Sequence, residues 1–364
     1  QRAEILEKTA DLLEENRERF YTLACLEAGK TLPDGVAEVR EAADFLRYYA
    51  VQARTRFTEP MELPGPTGEI NQLSLAGRGV FVCVSPWNFP LAIFAGQIAA
   101  ALAAGNTVVA KPADQTPLIG YEMVKLFYDA GLPDNVLHFV PGKGRQIGNL
   151  LVSDPLISGV AFTGSTGTAQ AINRQLAHRD GPIAVLIAET GGQNAAIVDS
   201  SALLEQTTDD VVRSAFLSAG QRCSALRVLY VQEDIAEDLI AMIKGAMAVL
   251  KVGDPALLAT DVGPVIDSAS AQDLLAHIEA IERGDLGPDA RVLYKAPMDE
   301  ASLPANGSYV APHLVEIQSI SQLDHEHFGP ILHVVRYKES ELNQIIEDIN
   351  DTGYGLTLGI HSRI

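Results

Sequence analysis

Cysteine is scarce in this sequence. There are three in 364 residues, Cys25, Cys83 and Cys223, and they are widely spaced, with no CxxC pair. That excludes a disulfide framework and a thiolate metal site, and it fits a reducing, cytoplasmic setting. Basic residues are also in short supply. Lys and Arg number 27 against 47 Asp and Glu, for a net charge of −20 and a pI near 4.7. Such an excess of negative charge argues against a nucleic-acid partner and against an anionic membrane surface. No apolar run approaches the ~20 residues that would span a bilayer. The most apolar stretch, LAIFAGQIAAALAAG (91–105), is short and rich in Ala and Gly, and reads as a buried helix. No basic-then-apolar leader opens the chain, and there is no internal repeat.

What is present is ordinary globular composition, 47% hydrophobic and 20% charged with mean hydropathy +0.10. The length is large for one core, so two domains are expected, 1–190 and 191–364. The opening QRAEILEKTADLLEENRERF is helical in period, with Ile5, Leu6, Leu12, Leu13 and Phe20 against a charged face. AEVREAADFLRYYAVQA continues in that style, and EPMELPGPTGE breaks it. From residue 79 the rhythm changes to short apolar strands (79–85, 107–111, 136–140, 159–163 and 183–189) alternating with helices. Continuously apolar strands are what helices on both faces of a parallel sheet require, so the expected fold is a doubly wound α/β domain. A second α/β stretch follows, with strands at NAAIVD and RVLYVQ and helices predicted over 201–219 and 235–253. Residues 255–312 read as looser, and the closing YGLTLGIHSRI as the middle of a strand.

Doubly wound sheets bind ligands at the carboxyl ends of their strands. Four such ends are rich in chemistry: SPWNFP, KPADQTP, FTGSTG and AETGGQN. TGSTG closes a strand and opens a helix, where backbone N–H groups suit a pyrophosphate; the same letters also suit a plain turn. Lys111 stands where a ribose hydroxyl would be reached, or is a solvated lysine. Glu189 follows the apolar run IAVLIA, and a poorly solvated carboxylate there would serve as a general base; the alternative is a surface turn glutamate. Asn88, fixed between Pro86 and Pro90, offers an amide to a developing oxyanion or stabilises its own turn. Cys25 and Cys83 read as small buried hydrophobes. Cys223 does not: it follows Gly220-Gln221 in a turn and precedes a strand.

Taken in order, PWNFP, KPAD, FTGSTG, ETGG, FLSAGQRC and HEHFGPIL resemble the aldehyde dehydrogenase superfamily along essentially the whole chain. ETGGQNAAIVDSSAL and SAGQRCSALRVLYVQED look like its glutamate-semialdehyde (Δ1-pyrroline-5-carboxylate) branch, most of all the dehydrogenase module of bifunctional proline utilization A proteins. The resemblance implies a Rossmann-like NAD-binding domain with N-terminal helices over 1–190 and a catalytic domain over 191–364. It implies an NAD-dependent enzyme that oxidises L-glutamate γ-semialdehyde to L-glutamate through a thiohemiacetal and a thioester. Cys223 would be the nucleophile, Asn88 the oxyanion donor and Glu189 the hydrolytic base. Ser85, Trp87, Lys111, Asp114, Gly144, Gly164, Ser165, Glu326 and Phe328 would meet NAD, and Phe89, Ser224 and Glu41 the substrate aldehyde. Asp114 stands where the family usually has Glu, and Ala169 where its Gly-rich pattern has a second Gly. His325 and His327 flank Glu326 in an HxH, but nothing nearby in sequence completes a metal site, so no metal is expected. The resemblance further implies chain before Gln1 and after Ile364, including a dimerisation tail and a proline dehydrogenase domain. Two rival readings are a coenzyme A-acylating dehydrogenase, against which Glu189 counts, and a non-catalytic module, against which the trio Cys223, Glu189 and Asn88 counts.

Overall fold

Side-chain alternation along one pentapeptide sets the layering of the first half. In VFVCV, Phe81 and Cys83 point into one apolar cluster and Val80, Val82 and Val84 into another, as period-two geometry demands of a strand buried on both faces. The computed structural model describes residues 1–364. The chain divides into two units: Gln1–Ala28 with Gly35–Thr190, and Gly29–Asp34 with Gly191–Ile364.

The first unit opens with helices α1 (Arg2–Glu15), α2 (Arg17–Ala28) and α3 (Leu32–Arg56). One helix was expected through Phe20. Instead Asn16 ends α1, its side-chain amide donating to Leu12 O at 2.8 Å, and the chain restarts at Arg17. The Pro/Gly stretch that read as a break carries a small antiparallel hairpin, β1 (Met61–Leu63) and β2 (Asn71–Leu73). Then strand and helix alternate: β3 (Val80–Val84), α4 (Ala92–Ala103), β4 (Thr107–Lys111), α5 (Pro117–Asp129), β5 (Leu137–Phe139), α6 (Gly144–Ser153), β6 (Ile157–Thr163), α7 (Thr166–Ala177) and β7 (Val185–Glu189). The sheet runs β5-β4-β3-β6-β7, parallel throughout. One cluster joins α1, α3, α4 and α5 to Phe81, Cys83, Val108 and Ala110; the other sets Val82, Val160 and Phe162 against α6 and α7. Each fully buried Val, Leu or Phe here contributes about 1.5–3 kcal/mol. The strand order reverses between β3 and β6, the switch point at which such sheets open a crevice beyond the carboxyl ends.

The second unit holds β8 (Ala195–Val198), α8 (Leu204–Phe216), β9 (Val228–Gln232), α9 (Glu233–Met247), α10 (Ser268–Glu282), β10 (Arg291–Lys295), β11 (His313–Glu316), β12 (Ile331–Tyr337), α11 (Leu342–Asp351) and β13 (Leu358–His361). Its sheet runs β10-β11-β12-β9-β8-β13, with only the β10–β11 pair antiparallel. The span 255–312, read as loose, contains α10 and β10. Asp267 caps α10 by accepting from Ser270 N at 2.8 Å, and Ala271, Leu274, Ile278 and Ile281 bury its inner face. Helix α8 was expected to reach Ala219. It stops at Phe216 because Ser218 and Ala219 (each φ 53°) and Gly220 (φ 67°) turn left-handed in succession. The closing strand is β13, laid parallel against β8. No helix is long and apolar enough to cross a membrane.

Candidate active site

In the first unit the switch point gathers the residues that the strand-end reading singled out. Ser85 follows β3 and Gly164 follows β6. Gln97, on α4, ties the two ends together: its Oε1 accepts from Ser85 Oγ at 3.0 Å and its Nε2 donates to Thr163 Oγ1 at 3.1 Å. Nothing in the sequence singled Gln97 out, because its role depends on which strands are neighbours. Asn88 is buried. The loop that carries it is pinned just downstream by Glu38 of α3, whose carboxylate accepts from Leu91 N at 3.2 Å and Ala92 N at 2.9 Å at the head of α4. A carboxylate there complements the positive end of the helix. Trp87 and Phe89 are half-buried, Phe89 against the core, and Glu41 lines an open groove of about 660 Å³ along α3 with Asp44, Phe45 and Tyr48.

Lys111 is no solvated edge lysine. It is 4% exposed, and its Nζ donates to Pro112 O at 2.9 Å and to Asp114 Oδ1 at 3.0 Å. The other oxygen of Asp114 accepts from Gly144 N at 3.3 Å, at the start of α6. Ser165 caps α7: its Oγ accepts from Thr168 N at 3.4 Å and donates to Thr168 Oγ1 at 2.9 Å. At Gly164 an added Cβ would meet Phe162 Cζ at 2.6 Å, so a side chain there would have to displace the Phe162 ring. For Glu189 the sequence left a poorly solvated strand end and a surface glutamate open; β7 is the edge strand of its sheet and Glu189 is exposed.

In the second unit the chemistry lies at the amino ends of the strands, of which the strand-end reading reached only Gly191–Asn194, through AETGGQN. Gly191–Asn194 lead into β8, Cys223–Arg227 into β9 and Glu326–Pro330 into β12. Asn194 joins them: its Nδ2 donates to Cys223 O at 2.6 Å and Ala225 O at 2.9 Å, and its Oδ1 accepts from Thr357 N at 3.2 Å. The left-handed turn behind Cys223 is held by side chains. Gln221 donates to Ser218 O and accepts from Ile266 N, and Arg222 reaches Ser218 Oγ at 3.3 Å and Asp34 Oδ1 at 2.8 Å. At Gly220 a Cβ would meet Gly329 O at 2.2 Å.

Arg227, which the sequence reading passed over, is the centre of this half. It is 2% exposed. Its Nη1 donates to Gly220 O at 2.6 Å and Gly329 O at 3.3 Å, and its Nη2 to Arg222 O at 2.9 Å and Glu326 Oε1 at 3.1 Å. The guanidinium lies 5.0 Å from the ring centre of Phe328. Burial pulls the Arg227 pKa down, while Glu326 holds it up. Burial pushes the Glu326 carboxyl up, against the pull of Arg227 and the Gly192 backbone.

Cys223 is half-buried and Ser224 exposed. Burial raises the Cys223 thiol above its ordinary 9.0, and the charge of Glu326 adds to the rise; hydrogen bonds from the Ser224 and Cys223 backbone and the charge of Arg227 oppose it. The shift favours the protonated thiol in the free chain. Iodoacetamide labelling of Cys223 is expected to keep accelerating as pH passes 9.0. Mass spectrometry of the Cys223 peptide checks this, and a rate that levels off earlier would overturn it. Cys83 is the contrast: it is fully buried, and its thiol is pushed up to about 12. Cys25 is part-exposed rather than buried as expected. In space Asp273 of α10 lies near His325 and His327, a neighbour that their place in the sequence did not show.

The aldehyde dehydrogenase family model matches residues 1–363. The chain belongs to the aldehyde dehydrogenase family. Among its relatives is bifunctional protein PutA of Klebsiella aerogenes, 48% identical over 370 aligned residues that take in 100% of this chain and 27% of that protein. A crystal structure of a proline utilization A variant from Bradyrhizobium japonicum superposes with a TM-score of 0.94 at 55% identity, covering 100% of this chain and 36% of that one. The structure of 1-pyrroline-5-carboxylate dehydrogenase from Thermus with bound NAD gives a TM-score of 0.92 at 32% identity, covering 100% of this chain and 69% of that one. This aldehyde dehydrogenase chain thus spans about a quarter of the PutA protein that it matches.

Proposed function

We propose that this chain oxidises L-glutamate γ-semialdehyde to L-glutamate with NAD+, as the second step of proline breakdown. The observation that carries the reading is the family match over residues 1–363, together with relatives named PutA and 1-pyrroline-5-carboxylate dehydrogenase. The Thermus relative, whose structure contains NAD, supports the choice of cofactor.

Cys223 gives up its thiol proton to solvent, and the minor thiolate fraction attacks the aldehyde carbon, forming a C–S bond and sending the carbonyl electron pair onto oxygen. The Asn88 amide and the Cys223 backbone N–H hold that oxyanion. NAD+, when bound, supplies the acceptor for the hydride that leaves the tetrahedral carbon. Glu189 then takes a proton from water, whose oxygen attacks the thioester; the carboxylic acid departs and the Cys223 thiolate is restored. Lys111 and Asp114 meet the ribose hydroxyls of the adenosine end, and the carboxylate of Asp114 repels a 2′-phosphate. Gly164, Ser165 and the head of α7 take the pyrophosphate, with Ser85, Trp87 and Gly144 beside the cofactor. Glu326 holds the nicotinamide ribose and Phe328 its ring, while Phe89, Ser224 and Glu41 face the substrate. The residues present fit the group: a buried amine held by a carboxylate, a capped helix head, and a glycine where a side chain would clash. The chain acts as part of a longer cytoplasmic protein, a homodimer or larger, that also carries a proline dehydrogenase domain.

NADH formation tests the reading. Glutamate semialdehyde is expected to exceed short alkyl aldehydes in kcat/KM by about tenfold or more, with no dependence on coenzyme A. Glu189→Gln is expected to release one NADH per chain and then stall as the thioester accumulates. A requirement for coenzyme A would favour the acylating alternative, and the absence of NADH with every aldehyde would refute both.

A further inference from the structure

Beyond the dehydrogenase residues, the second unit carries a histidine cluster that the proposed reaction does not use. His277 and His327 stack with ring centres 3.4 Å apart. His277 Nε2 lies 2.9 Å from His333 Nε2, and His333 Nδ1 lies 3.1 Å from Arg227 O, so these two rings have partners. His327 has none. It is 5% exposed, and both of its ring nitrogens are buried without a hydrogen bond. Buried polar atoms left without a hydrogen bond are destabilising, which a bound ligand would relieve. A ligand atom of His327 lies within 4.8 Å of one on His325 and one on Asp273, and these two side chains are exposed. His325 Nδ1 meets Asp324 Oδ1 at 2.6 Å, the arrangement in which a carboxylate orients a ligating imidazole and leaves Nε2 to the metal.

We propose that Asp273, His325 and His327 bind a divalent transition-metal cation of the zinc class. Two imidazoles and one carboxylate suit such an ion, with water in a fourth position. Bonds of about 2.0–2.2 Å bring tetrahedral donors to about 3.4 Å from one another, so a donor pair at the 4.8 Å limit would close by about 1.4 Å. Asp273 and His325, both on the surface, have the rotamer freedom to do this. The bound ion ties α10 to the chain on either side of Glu326. That last consequence rests on the cofactor role proposed for Glu326; the binding does not.

Isothermal titration of the full chain with Zn²⁺ alone, without cofactor or aldehyde, tests the site. The background is Cys223→Ser, so that the thiol contributes nothing. One equivalent is expected to bind. Asp273→Asn and His325→Asn are each expected to weaken it about tenfold or more, while His178→Asn, on the exposed end of α7, leaves it unchanged. Circular dichroism confirms that the variants fold, and their exposed positions make that the expected result. No binding at up to about 1 mM Zn²⁺ would overturn the proposal. So would binding that survives both the Asp273 and His325 substitutions, which would place the ion on other histidines. Because turnover is not the readout, failure here leaves the dehydrogenase reading untouched.

Discussion

Cys223→Ser is expected to reduce NADH formation from glutamate semialdehyde by at least about a thousandfold. A serine hydroxyl occupies nearly the same space, but its far higher pKa leaves almost no alkoxide at neutral pH. Glu326 and Arg227, whose charges act on the thiol, are committed to each other at 3.1 Å. The tetrahedral adduct therefore does not form, and no hydride leaves. Asn194 holds the backbone carbonyl of residue 223, not its side chain, so the fold of the turn survives the exchange. Iodoacetamide labelling serves as the companion measurement, falling to the background set by the part-exposed Cys25. Turnover that persists in Cys223→Ser would eliminate the covalent mechanism.

Arg227→Met carries the second large effect, on stability first. The methionine fills much of the volume but donates nothing. The carbonyls of Gly220, Arg222 and Gly329 lose their donor, and Glu326 loses its cation in a largely buried place. Removing one partner of such a pair costs about 3–5 kcal/mol. Urea denaturation is expected to show the loss as a lower midpoint at constant slope. Arg227→Lys is expected to recover only part of it, since an ammonium cannot match the planar fork that reaches four acceptors. Residual activity should also fall, because the same guanidinium supports the turn behind Cys223 and the ring of Phe328. A midpoint equal to that of the unaltered chain would show that the guanidinium does not hold this half together.

The strands of the first unit were legible because each is a short apolar run between turn-forming residues, and their carboxyl ends follow from the fold class. The motif residues were legible as letters in order. Gln97 and Glu38 were not, since a glutamine or glutamate on a helix looks alike whether it faces water or ties two loops. Arg227 was hidden differently. One charge at the head of an apolar strand reads as the start of that strand, and only its burial reveals a hub. Helix α10 did leave a signal, Asp267 followed by Ala271, Leu274, Ile278 and Ile281, but the Pro, Gly and Asp around it masked the period. Glu189 was open both ways. Its apolar lead-in suited burial or a surface turn, and only the place of β7 at the edge of the sheet decides.

The left-handed run Ser218–Ala219–Gly220 has a meaning for the order in which the molecule is made. Each non-glycine residue there works against local preference by roughly 1–2 kcal/mol. Such a bend does not nucleate. It waits until β9, β12 and the side chains of Gln221, Arg222 and Arg227 are in place to pin it. The residues around Cys223 therefore come together only with the surrounding fold. Burial and the charge of Glu326 then raise the thiol above its ordinary value, so the finished turn keeps Cys223 protonated more firmly than an unfolded chain would.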